Sequence, residues 1–111
     1  VRRTVTEELD PGHRHWSSMH WLYPNTFIPT SGGDGSDSGD NGDANALRYA
    51  DDLLSAARKT VDHKRSHGGG HTSWSASWES CLRARLRDGA GAWDALSRVA
   101  RRYAGRNGLS F

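Results

Sequence analysis

The fold is decided by residues 72–103, TSWSASWESCLRARLRDGAGAWDALSRVARRY, in which apolar residues recur every three or four positions on both sides of one short turn. Thr72 or Ser73 can cap the first helix, and Gly89 suits the left-handed position just past a helix end. A turn this short forces the two helices to lie antiparallel. The first apolar stripe consists of Trp74, Trp78, Cys81, Leu82 and Leu86, and the second of Trp93, Leu96, Val99, Ala100 and Tyr103.

A further helix is predicted upstream, with Asn45 as its cap and its end near Arg65. Its apolar stripe consists of Leu47, Ala50, Leu54, Ala57 and Val61. The His- and Trp-rich block at 11–24 is flanked by prolines and predicts a short helix between loops. Residues 30–45 form a Gly/Ser/Asp tract with nothing apolar to bury, so we expect a disordered insertion there. Residues 1–111 are therefore expected to be all-α, built of helical hairpins.

The composition indicates a chain that packs against further structure. Leu, Ile, Val and Phe are scarce, whereas five Trp and three Tyr supply large apolar side chains. We therefore expect a piece of a larger protein. No apolar run approaches the roughly 20 residues of a membrane-spanning helix, so no membrane segment is expected. The single cysteine, Cys81, cannot form an internal disulfide bond.

Several other functions find little support in the sequence. Seven Arg stand against two Asp in residues 81–111, but a solvated helix face explains this as well as phosphate binding does, and no nucleic-acid partner is expected. The six His occur with no Cys pair and no His-Glu-x-x-His helix, so we expect neither a metal nor another cofactor. The Asp spacing within 30–45 does not fit a calcium loop. No paired carboxylates for acid–base catalysis are found, and Glu79 is expected to be exposed.

Aromatic, imidazole and guanidinium groups form the strongest candidate site. They occur in two separate stretches and are Arg14, His15, Trp16, Trp21, Tyr23, His71, Trp74 and Trp78. Aromatic faces cover the C–H patches of a sugar ring, while Arg and His donate to its hydroxyls. These residues predict a carbohydrate site, and an aromatic core explains the same residues equally well.

Three blocks resemble glycoside hydrolase family 95, the α-L-fucosidases. His13-Arg-His-Trp-Ser-Ser-Met-His-Trp-Leu-Tyr-Pro24 resembles the family's His-Arg-His-x-Ser-His-Leu…Leu-Tyr-Pro-Gly block. Gly68-Gly-Gly-His-Thr-Ser-Trp-Ser-Ala-Ser-Trp78 resembles its Gly-Gly-Gly-His-Thr-Gly-Trp-Ser-x-Ala-Trp block, and Ala84-Arg-Leu-Arg-Asp-Gly89 resembles its Ala-Arg-Leu-x-Asp-Gly stretch. The blocks occur in the family's order, and the resemblance covers everything outside residues 30–45.

The resemblance implies a six-hairpin (α/α)6 toroid, of which residues 1–111 would form a few helices that pack on the rest of the same polypeptide's barrel. It implies an inverting α-L-fucosidase acting on a fucosylated oligosaccharide or glycan, and a secreted or extracellular location. The family's acid Glu and its downstream Asp lie in motifs that this sequence lacks, so no catalytic residue is assigned here and residues 1–111 alone are expected to be inactive. The substrate-binding residues carried over are Arg14 and His15, and more loosely His71 and Trp74. The alternative is a noncatalytic helical carbohydrate-binding or scaffold domain.

Overall fold

The computed structural model describes residues 10–25 and 44–109, apart from the side chains of 44–47. A single 3-10 turn at Ser17–Met19 is followed by helix α1 (Ala44–Ser66), helix α2 (Ser73–Arg85) and helix α3 (Gly89–Arg102). No strand occurs in these two described ranges, so the all-α prediction is confirmed. Three helices with short turns are consistent with part of the expected helical toroid.

Helix α1 follows the predicted apolar period. Ala57 and Val61 are buried and Leu54 is half-buried, because residues three and four apart share one helix face. The helix begins at Ala44, so Asn45 lies inside it rather than capping it. The last turn carries three basic residues, which suit the negative end of the helix dipole and are His63, Lys64 and Arg65.

Helix α2 begins where the sequence predicts. The Thr72 hydroxyl accepts a hydrogen bond from the backbone N–H of Ser75 at 3.2 Å, and the Ser75 hydroxyl accepts from the N–H of Thr72 at 3.1 Å. This reciprocal capping box satisfies two N–H groups that the first helical turn leaves unpaired. Leu82 and Leu86 of the predicted stripe are buried, whereas Trp74 is 51% exposed.

The turn between α2 and α3 differs from the prediction, because Arg87 and not Gly89 adopts the left-handed conformation, with φ of 58°. The N–H groups of Arg87 and Asp88 donate to the carbonyls of Ala84 at 3.0 Å and Arg83 at 2.9 Å, which is the Schellman pattern of helix termination. Asp88 then caps α3, since its carboxylate accepts from the N–H of Gly91 at 2.9 Å. The left-handed residue therefore lies two positions earlier than predicted, and Gly89 is the first residue of α3.

Helices α2 and α3 form the predicted antiparallel hairpin. The hydroxyl of Ser80 donates to the carbonyl of Ala92 at 3.0 Å, and Tyr103, just beyond α3, donates to the carbonyl of Gly70, just before α2. The contact face of α3 matches the predicted apolar stripe only in part, because Tyr103 is buried and Val99 is half-buried, but small Ala95, which is not in the stripe, is also buried. Trp93 and Leu96 are instead 67% and 50% exposed. Small residues allow the two helices to approach closely, which the spacing of large apolar residues does not reveal.

The core joins the N-terminal block to α1 and α2. Its buried members are Trp16, Met19, Leu22, Ala57, Val61, Leu82 and Leu86. Residues 30–43 of the predicted insertion lie outside the described residues, whereas 44–45 already belong to α1. Within the described part of the chain, no helix is long and apolar enough to cross a membrane.

Candidate functional site

The two stretches predicted to form a carbohydrate site lie side by side. The rings of His15 and Trp74 meet edge to face, with centroids 5.1 Å apart and planes inclined at 72°. Nε1 of Trp78 donates to the backbone carbonyl of Tyr23 at 3.0 Å. The block at 10–25 is therefore fixed against the start of α2 by both a ring contact and a hydrogen bond.

Glycine residues make this close approach possible. A Cβ atom at Gly12 would lie 2.1 Å from the carbonyl oxygen of His67, and one at Gly69 would lie 3.3 Å from the ring of Trp16. Any side chain at Gly12 would force the two segments apart. The glycine-rich turn between α1 and α2 thus serves as the surface on which the N-terminal block rests.

Further rings continue on both sides of the His15–Trp74 contact, one exposed and one half-buried. His13 stacks on His15 with centroids 4.8 Å apart, and Trp74 lies against Trp78 at 5.3 Å. The guanidinium Nε of Arg14 donates to Nε2 of His15 at 3.3 Å. We call the side chains of Arg14, His15 and Trp74 the ring cluster, because it combines an apolar ring face with polar N–H donors.

His71 occupies the turn that leads into α2. Its Nδ1 donates to the carbonyl of Gly68 at 3.1 Å, because a carbonyl oxygen can only accept. In the neutral imidazole, Nε2 then carries the lone pair and can accept a hydrogen bond from a hydroxyl group. Within the described residues no ring contact or hydrogen bond joins His71 to the ring cluster. His71 and Trp74 nevertheless lie close in sequence, on either side of the Thr72 cap.

The other aromatic candidates differ in how deeply their side chains are buried. Trp16 is fully buried in the core, and its Nε1 has no hydrogen-bond partner among the described residues, so for this residue the aromatic-core interpretation is correct. Trp21 packs half-buried on the same core. Two surface grooves of about 300 and about 360 Å³ lie towards the C-terminal end of α2. Tyr23 lines the second groove, but Arg14, His15, His71 and Trp74 line neither.

The prediction that Glu79 is exposed is wrong, because its side chain is only 1% exposed. Oε1 of Glu79 accepts from Nε of Arg83 at 2.9 Å, and Oε2 accepts from Nη2 of Arg98 at 2.5 Å. Nε of Arg65 lies 3.8 Å from the same Oε2. Three guanidinium groups around one carboxylate favour ion pairing over proton transfer to a substrate.

The charge cluster extends to the helix ends. Nη1 of Arg83 also donates to Asp62 of α1 at 3.0 Å and to Asp88 at 2.9 Å. Burial alone would lower the pKa of Arg98, but Glu79 and Asp94 together outweigh it and raise that pKa. The pKa of Asp88 is lowered, first by the hydrogen bond from the Gly91 N–H and further by Arg83. The cluster therefore ties α1, α2 and α3 together through ionised groups.

No metal site emerges from the described residues. No group of three or more His, Cys, Asp or Glu side chains lies close enough to hold a metal ion within residues 10–25 and 44–109. The chemistry available at the ring cluster is that of binding, through ring faces and N–H donors.

Comparison with known proteins identifies a family. The model of the glycosyl hydrolase family 95 catalytic domain matches residues 3–110, which is nearly the whole chain. No curated protein and no solved structure shows a significant match to this chain.

Proposed function

Because the chain belongs to glycosyl hydrolase family 95, we propose that the protein is an inverting α-L-fucosidase that removes terminal L-fucose from glycans. Membership of this catalytic-domain family makes it a glycoside hydrolase with a glycan substrate. The fucose specificity, a secreted or extracellular location and the role of individual residues belong to the proposal. In it, the substrate contacts are made by Arg14, His15, His71 and Trp74.

The observation that carries the proposal is the contact between His15 and Trp74. L-Fucose is a 6-deoxy sugar, so it presents a methyl group and C–H patches beside its hydroxyls. The half-exposed ring of Trp74 offers an apolar face of the kind that covers such patches. Arg14 and His15 stand next to it with the N–H groups that hydroxyls require. A surface with both properties suits a deoxyhexose better than a fully hydroxylated sugar.

The inverting mechanism explains why sugar binding and proton transfer are assigned to different residues. One carboxylic acid protonates the leaving oxygen while a second carboxylate activates water on the opposite face of the ring. Glu79 is enclosed by Arg65, Arg83 and Arg98 and is therefore not assigned either role. The residues of this chain bind and orient the sugar, and the proton transfers are assigned to residues outside it.

Kinetics of the natural protein test the assignment. Arg14→Ala removes donors to the sugar, so kcat/KM for a chromogenic α-L-fucoside should fall by about 5- to 150-fold, corresponding to about 1–3 kcal/mol for lost hydrogen bonds to a charged group. Most of the loss should appear in KM, because the contact exists in the ground state as well as in the transition state.

The matched control is Arg101→Ala, which removes an exposed Arg at the end of α3 and should leave kcat/KM within about twofold of the wild type. An Arg14→Ala enzyme with unchanged kcat/KM would contradict the role of Arg14. Binding of L-fucose without hydrolysis of any α-L-fucoside would instead support the noncatalytic carbohydrate-binding alternative. Faster turnover of an α-L-galactoside, which carries a hydroxyl in place of one methyl hydrogen, would overturn the fucose preference.

A further inference from the structure

The carbonyl oxygen of Gly70 is held by two side chains that come from the end of α3. Nη1 of Arg98 donates to it at 3.2 Å and the hydroxyl of Tyr103 donates to it at 3.3 Å. This carbonyl and the N–H of His71 belong to one peptide plane. The two donors therefore fix the plane from which His71 and the Thr72 cap begin.

Arg98 is itself fixed by a buried carboxylate. Its Nη2 lies 2.5 Å from Oε2 of Glu79, and its Nε donates to Asp94 at 3.2 Å. Charge-assisted hydrogen bonds shielded from water are stronger than those between neutral groups. The planar fork of the guanidinium group lets one side chain hold Glu79 and Gly70 at the same time, which a single ammonium group would not do in this geometry.

The glycine-rich turn between α1 and α2 needs such hydrogen bonds to hold one conformation. Gly68 and Gly70 adopt φ values of +90° and +83°, and glycine samples many backbone conformations at little cost. A Cβ atom at Gly70 would lie 2.8 Å from Oε2 of Glu79, so the missing side chain is what allows the carboxylate to approach. The turn takes its conformation from the groups around it.

We propose that Arg98, supported by Glu79 and assisted by Tyr103, is a positioning residue that sets the glycine turn and through it the placement of His71 and Trp74 for substrate binding. This inference rests on the proposed function, since it takes His71 and Trp74 as sugar contacts. Arg98 touches no substrate itself. Its loss should weaken binding of ground state and transition state alike, so KM should rise while kcat is retained.

The chain offers a closely matched control in Arg83. Its side chain is 14% exposed, as is that of Arg98, and it binds the other oxygen of Glu79 at 2.9 Å. Among the described residues it makes no contact with Gly70. Arg98→Ala and Arg83→Ala in the natural protein should both lower thermal stability, because each removes a partner of a buried carboxylate. Only Arg98→Ala should raise KM for the α-L-fucoside, by about tenfold, as expected when contact residues are misplaced.

A second variant and a second measurement also test the positioning role of Arg98. Tyr103→Phe removes one donor to Gly70 without changing charge, and should raise KM by a smaller factor even if Arg98→Ala does not fold. Hydrogen exchange of the backbone amides at 67–72 reports on the turn without any sugar. Relative to exchange of the amides in α2, exchange at 67–72 should quicken in Arg98→Ala and Tyr103→Phe but not in Arg83→Ala.

Equal KM changes in the two Arg variants, or unchanged amide exchange at 67–72 in Arg98→Ala and Tyr103→Phe, would overturn the positioning role. A wild type that hydrolyses another glycoside and no α-L-fucoside would overturn the proposed function alone, and the KM comparison would then be made with that glycoside. The two failures are therefore distinguishable.

Discussion

Asp88 joins two functions in one carboxylate. One oxygen accepts from the N–H of Gly91 and so caps α3, while the other accepts from Arg83 at 2.9 Å. A Cβ atom at Gly91 would lie 2.2 Å from that second oxygen, so a side chain at this position would displace the carboxylate. Both interactions favour the ionised form, which is why the pKa of Asp88 lies below its ordinary value.

The lowered pKa gives stability a predictable pH dependence. Because the pKa of Asp88 is lower in the folded protein, its stabilising contribution is fully present above the unfolded value of about 4. It is lost as the pH falls through the folded value. In Asp88→Asn the side chain can still cap α3 but carries no charge, so the thermal midpoint of the natural protein should be lowered at pH 6 and should approach that of the wild type towards pH 3.

Asp88→Ala serves as the control for the cap. It should cost about a further 1 kcal/mol at both pH values, because it also removes the oxygen that accepts from Gly91. A deficit in Asp88→Asn that stays constant from pH 6 to pH 3 would show that the charge of Asp88 does not stabilise the fold.

The burial of Glu79 could not be predicted from its residue type and position alone. Its position in α2 and its charge predict exposure, yet it is buried against Arg83 and Arg98. The spacing of four residues between Glu79 and Arg83 was a visible signal, since such residues face each other on a helix. Its pairing with Arg98 depends on the register of α2 against α3, which is a tertiary property. The Glu79–Arg83 pair could therefore be predicted from the sequence, whereas the Glu79–Arg98 pair could not.

At the scale of the helices, their existence, their length and the antiparallel hairpin were predictable, whereas the rotation of α3 about its own axis was only partly so. The three-and-four spacing gives α1 and the buried face of α2, and Thr72 and Ser75 supply a cap that can be read from the sequence. The rotation of α3 was predicted only in part: Tyr103 of the predicted stripe is buried, but Trp93 and Leu96 are exposed and Ala95 and Arg98 face α2 instead. Apolar periodicity identifies a helix but does not say which neighbour each face meets.

The candidate site was predictable to a similar degree. Residue types and the family resemblance bring out both stretches, and the structure places His15 against Trp74. Residue type alone could not decide that Trp16 lies in the core, because Trp suits both a core and a sugar-binding surface. The substrate-binding roles of Arg14 and His71 stay predictions.

At the scale of the whole molecule, several large apolar side chains among the described residues are exposed. Trp93 and Leu96 project from α3 and Tyr49 from α1, all at least half-exposed. The buried core described above is small. In a helical toroid, faces of this kind pack against further hairpins, and a small core alone provides limited stability.

We therefore expect the 111-residue chain on its own to unfold gradually and to hydrolyse no glycoside. Far-ultraviolet circular dichroism during heating should show a broad, shallow loss of helical signal. A sharp sigmoidal transition, or measurable glycosidase activity of this polypeptide, would contradict that expectation.

The most direct test of the central claim is a double-mutant cycle on L-fucose binding, measured by calorimetry with the natural protein and its His15→Ala, Trp74→Ala and doubly substituted variants. If the two stretches form one binding surface, each single change weakens binding. The double change then costs less than the sum of the two by about 0.5–1.5 kcal/mol, the energy typical of an aromatic pair. Wild-type affinity for L-fucose in all three variants would contradict the account.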